Sequence, residues 1–204
     1  MKRFFGVPMT QWDSMRDRLH VYVVPGAGLG AELARLQQSL RGRDYCAAQP
    51  VEFLHATVQQ FAFTTGEAEA GLPEFACRMA LLAARTTVFE LQLGRPVVDD
   101  YSLGVRAEAT DQWQNLSREI ADAALGTFHA GRAMPAAPRQ PHISLGYGIG
   151  TGSSSEIQSA VDALHTGNPP ALAVAELKFV AVHQDESRGR YTWDELAAWP
   201  LAGP

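Results

Sequence analysis

Two segments of this chain, 87 residues apart, repeat one short pattern in strand-like surroundings: Leu54-His55-Ala56-Thr57-Val58 and Pro141-His142-Ile143-Ser144-Leu145. Each reads His, apolar, hydroxyl, apolar. On an extended strand, residues i and i+2 project from the same face. His55 and Thr57 therefore share one face, and Leu54, Ala56 and Val58 turn to the other, toward a core. His142 and Ser144 stand in the same relation to Ile143 and Leu145. If the two strands occupy matching places in two halves packed with pseudo-two-fold symmetry, two imidazoles and two hydroxyls converge on one cleft.

The remaining pattern supplies two such halves. In the first, a β-branched and aromatic strand over 19–24 stops at Pro25-Gly26-Ala27-Gly28, which reads as a turn. It lacks the Lys of a phosphate-binding loop. A helix over about 31–40 follows, then a strand over 53–61 and a helix over 67–85 with Leu72, Phe75, Met79 and Leu82 on one face. A strand over 87–93 closes the half. The second half offers a strand over 102–107 and a helix opened by Thr110-Asp111, striped by Trp113, Leu116, Ile120 and Ala124. After a Pro- and Gly-rich loop over 131–141 come a strand over 141–147, a helix over 156–164, a strand over 172–183 and a closing strand or turn over 191–201. The expected fold is α+β and bilobal, a pseudo-two-fold duplication with antiparallel sheets lining a central cleft and helices outside. It is one domain over 1–204, with lobes of about 1–95 and 102–204 and room for the terminal strands to exchange.

Composition narrows the function. A chain of 204 residues that is 46% hydrophobic and 19% charged buries a core, so it is not disordered. A formal net charge of −5 argues against a protein that tracks long nucleic acid through many phosphates. Cys46 and Cys77 form no CxxC pair, which points to reduced, buried thiols in a cytoplasmic protein. The N-terminal apolar stretch is too short for a signal peptide, and no 18-residue apolar run offers a membrane span. Neither HExxH nor HxxxH occurs, so no metal and no other cofactor is expected. The expected state is a monomer.

The paired motifs suit phosphodiester chemistry. One neutral imidazole can take a proton from water or a ribose hydroxyl while the other, cationic, protonates the leaving oxygen. The Thr and Ser hydroxyls can donate hydrogen bonds to non-bridging phosphate oxygens, where negative charge must be stabilised. A single His-x-Thr is commonplace, but two in matching strands are not.

These motifs, with the Leu19-His20-Val21-Tyr22-Val23-Val24-Pro25 strand and the Tyr191-Thr192-Trp193 to Trp199-Pro200-Leu201 ending, resemble the two-histidine phosphoesterases. The similarity is to the bacterial branch of 2′–5′ RNA ligase and cyclic phosphodiesterase enzymes. The resemblance implies a bilobal fold and hydrolysis of 2′,3′-cyclic or 2′-linked phosphodiesters, with a nucleotide or short RNA end as substrate. It also implies His55 and His142 as acid and base and Thr57 and Ser144 as phosphate ligands. The alternatives are a ligase-like or transferase activity, and a non-catalytic module that binds nucleotides or RNA ends.

Four further residues are candidates for substrate contact. His20 and Tyr22 share a face of the first strand, Gln59 continues the face of His55 and Thr57, and Arg139, like Arg106, offers positive charge near the second motif. Strict alternation puts Gly146 on the cleft face and Tyr147 in the core. His129 and His165, at helix ends, and His183 read as structural.

Overall fold

The computed structural model of the chain describes residues 1–7, 12–128, 135–165, 167 and 171–203. Strand β1 (Arg18–Val23) buries Leu19, Val21 and Val23. Gly26 then caps helix α1 (Ala27–Leu36), which a 3-10 turn extends to Leu40. The glycine-rich segment is thus the start of a helix rather than a turn. Gly28 and Gly30 interrupt the apolar pattern there and hid the first turns from the sequence. A short strand β2 (Cys46–Ala48) follows, too brief to show a period, and then β3 (Ala56–Thr64).

Thr64 and Glu67 form a reciprocal capping box that opens α2 (Thr65–Ala68). Helix α3 (Leu72–Arg85) has Pro73 in its first turn, where a missing N–H costs nothing. Strands β4 (Phe89–Gln92), β5 (Val97–Val98) and β6 (Ser102–Arg106) come next. The Thr110 hydroxyl accepts from the Trp113 amide to start α4 (Asp111–Leu125). The chain continues through β7 (His142–Gly148), α5 (Ser154–Leu164), β8 (Ala171–Val174), β9 (Glu176–Asp185) and β10 (Arg190–Pro200). The single strand expected over 172–183 is therefore two. Around Ala175 the chain changes partners, from β4 to β1 and β10, while its apolar character runs on unbroken.

All named strand pairs are antiparallel, in the order β10-β9-β1-β3-β7-β6-β5, with β2 also on β7 and a separate β4-β8 pair. The centre of this order is thin. Strands β3 and β7 share one register pair, Ala56 with Ile143. The assembly thus reads as two four-stranded sheets joined at a seam, with α3 and α4 packed on the first and α1 and α5 on the second.

Each side draws on both halves of the chain. Strands β9 and β10 return to the side of β1, α4 crosses to β3, and α1 and β2 lie with β7. The sequence boundary near 96–102 separates chain segments, not lobes.

A continuous apolar core fills the space between sheets and helices, including Leu19, Phe61, Phe75, Met79, Trp113 and Ile143. Each fully buried side chain of this kind stabilises the fold by about 2 kcal/mol. On the cleft side, Tyr22, Val180 and Val182 form a second, smaller cluster under Trp12, Tyr191 and Trp193. Of the two free thiols, Cys46 is buried as expected, but Cys77 is exposed, off the stripe of Phe75, Met79 and Leu82. Among the described residues, no helix is long and apolar enough to cross a membrane.

Candidate active site

The seam fixes the relation between the two motifs. His55 and His142 each immediately precede a residue of the Ala56–Ile143 pair. Continued by one residue either way, that antiparallel register sets His55 across from Ser144 and Thr57 across from His142. All four side chains line one cleft of about 470 Å³. Neighbouring strands extend the row: Tyr22 is the register partner of Thr57, and Arg106 that of His142.

Both imidazoles are held in the same way. His55 Nδ1 donates to the Phe53 carbonyl at 2.8 Å, and His142 Nδ1 donates to the Gln140 carbonyl at 3.0 Å. A carbonyl only accepts, so in each neutral ring the proton sits on Nδ1. Nε2 is left as the nitrogen free for chemistry. The rings differ in surroundings. The Tyr22 ring lies flat on His55, with centroids 3.9 Å apart and planes 11° apart. Burial is the main reason that the His55 pKa falls to about 4; the Phe53 carbonyl opposes the shift and His142 adds a little to it. His55 is therefore a neutral imidazole near neutral pH.

Strict alternation fails just beyond each hydroxyl, and in the same way. In β3, Val21 pairs with Gln59 but Tyr22 with Thr57, so Val58 is an extra residue. In β7, Leu103 pairs with Gly146 but Gly104 with Ser144, so Leu145 is extra. Each bulge turns the following residues over.

Gln59 is consequently not a cleft residue. It is 2% exposed, accepts from Ser117 on α4 and donates to the carbonyls of Gln60 and Pro135. Gln60 takes its place on the cleft. Tyr147 and Gly146 are exchanged likewise. Tyr147 lines the cleft, and hydrogen bonding with Ser144 partly offsets the burial that pushes its hydroxyl up to about 12. A Cβ on Gly146 would point away, to 2.4 Å from Leu40 and 2.7 Å from the Ala47 carbonyl.

Arg139 and Arg106 line the cleft, the latter paired with Asp99 at 2.7 Å. His20 and Tyr22 line it too, but at 3% and 1% exposure they present almost no surface. Burial, and secondarily Arg18 and His55, hold the His20 pKa well below the ordinary value, so this ring is also neutral. His183 lies outside the cleft, 3.0 Å from Asp194, and His165 caps the end of α5. His129 falls outside the described residues.

Phe4, Trp12 and Tyr191 complete an aromatic wall that no local pattern in the sequence announced. Among the described residues, no group of three or more His, Cys, Asp or Glu is arranged to share a metal ion.

No protein-family model and no curated protein sequence matches this chain. Solved structures do. TT0787 of Thermus thermophilus superimposes with a TM-score of 0.71 at 17% identity, over 91% of this chain and 98% of that one. E. coli LigT complexed with 3′-AMP gives 0.63 at 15% identity, over 92% and 99%. The MHV ns2 PDE domain gives 0.52 at 13% identity, over 81% and 98%. The fold of this chain is the one that these three structures share.

Proposed function

We propose that this protein hydrolyses a cyclic 2′,3′-type or 2′-linked phosphodiester on a nucleotide or a short RNA end. The observation that carries the reading is the matched pair of imidazoles, each with Nδ1 tied to a carbonyl two residues back and Nε2 free, beside Thr57 and Ser144 on one cleft. His55, neutral and half-buried under the Tyr22 ring, is the base. Its Nε2 takes a proton from water as the water oxygen bonds to phosphorus. His142 is the acid, and its Nε2–H protonates the ribose oxygen as the P–O bond breaks. Thr57 and Ser144 donate to the non-bridging oxygens, where charge accumulates. The substrate's negative charge raises the basicity of His55 from its unliganded level, which favours the transfer. Proton exchange with solvent then restores both rings. The same pair run in reverse joins ends, so ligation is the return path of this mechanism. E. coli LigT, a protein of this fold, is seen with phosphate and with 3′-AMP, which supports a cleft that accepts a nucleotide's phosphate group.

The test is turnover of the four 2′,3′-cyclic nucleotides and of an RNA oligomer with a cyclic end, in EDTA. Wild-type turnover is expected, with losses of about 10²- to 10⁴-fold in His55→Ala and in His142→Ala. Binding without turnover in the wild type would replace the enzyme by a binding module.

A further inference from the structure

Three interactions meet on Tyr22. Its ring lies flat on His55 at 3.9 Å, its hydroxyl is 2.9 Å from His20 Nδ1, and it is the register partner of Thr57. It is 1% exposed and is held from behind by Val180 and Val182.

The direction of the hydrogen bond follows from what each group can do. His20 Nε2 is buried with no partner, so the tautomer that uses its one N–H places the proton on Nδ1. That N–H donates to the Tyr22 oxygen.

We propose that Tyr22 is a positioning residue for the first motif, holding the His55 ring by stacking and held in turn by its hydrogen bond with His20. This rests on the phosphodiester reading above. Tyr22 also shields His55 from water. The groups that face His55 are Tyr22 and His20 from β1 and His142 from β7, while Arg106, Arg139 and Asp99 line the rest of the cleft.

The test compares Tyr22→Phe, which keeps the ring, with Tyr22→Leu, which removes it. His55 is titrated by nitrogen NMR in the unliganded protein, alongside kinetics on 2′,3′-cyclic nucleotides. Tyr22→Phe, which keeps the stacked ring, should leave the His55 titration in place and change kcat by no more than a few fold. Tyr22→Leu should move the His55 titration up by about one unit or more.

An unmoved titration in folded Tyr22→Leu overturns the stacking role. A His55 titration that moves as far in Tyr22→Phe, which keeps the ring, as in Tyr22→Leu overturns it too. If wild-type protein turns over no cyclic phosphodiester, the functional reading fails, and the titration still decides the role of Tyr22.

Discussion

Acidification should unfold this protein partly through His55, by an amount that the site itself sets. The folded-state pKa is about 4 against an ordinary value of 6.5. Between those values the unfolded chain binds a proton here that the folded chain does not. Lowering the pH therefore favours unfolding, and the contribution of His55 is fully present above about 6.5 and lost by about 4. At about 1.4 kcal/mol per pH unit, the span from 6.5 down to about 4 gives a ceiling of about 3 kcal/mol. The ring keeps an exposed edge, so water trims that ceiling. The assay is urea unfolding of wild type and His55→Asn at several pH values from 7 down to about 4. Carboxylates and His20 titrate in both proteins, so the difference between them isolates His55. Wild type should lose about 2–3 kcal/mol relative to the variant across this range. A difference that does not change with pH would refute the claim that His55 is held neutral by its surroundings.

Two further predictions test the bulges. Gln59→Ala should cost about 1–2 kcal/mol of stability, because it strands the Ser117 hydroxyl and two carbonyls, while kcat/KM on a cyclic nucleotide stays within about twofold. Gly146→Ala should destabilise by about 1–3 kcal/mol in urea unfolding, since its Cβ is driven toward Leu40 and the Ala47 carbonyl rather than into open cleft.

The four motif residues were legible because strand alternation is a local rule, and His55, Thr57, His142 and Ser144 lie before the irregularity in each strand. Gln59, Gly146 and Tyr147 lie after it. A bulge is decided by how a neighbouring strand pairs; nothing in Val58-Gln59 marks one, and in the second strand the signal was Gly146, a glycine inside an apolar strand. The division of Leu172–His183 into β8 and β9 was invisible for a similar reason. Both strands are apolar, and only their partners differ. The helix cap at Thr110 lay where its hydroxyl suggested, because capping is local chemistry. The aromatic wall came from Phe4, Trp12 and Tyr191, three distant points of the chain that only tertiary folding brings together.

The single register pair between the two sheets has a mechanical consequence. A joint of one residue pair resists rotation less than a full ladder does, so it is where the two sheets can pivot. His55 and His142 are each one residue from that pivot, and their lever arm is nearly zero. Arg139 and Trp12, at other points of the cleft wall, are carried by segments outside the β3–β7 pair. Rotation about the joint would move such wall residues farthest and the two imidazoles least. The cleft can then widen for a bulky RNA end while the spacing between base and acid is nearly conserved.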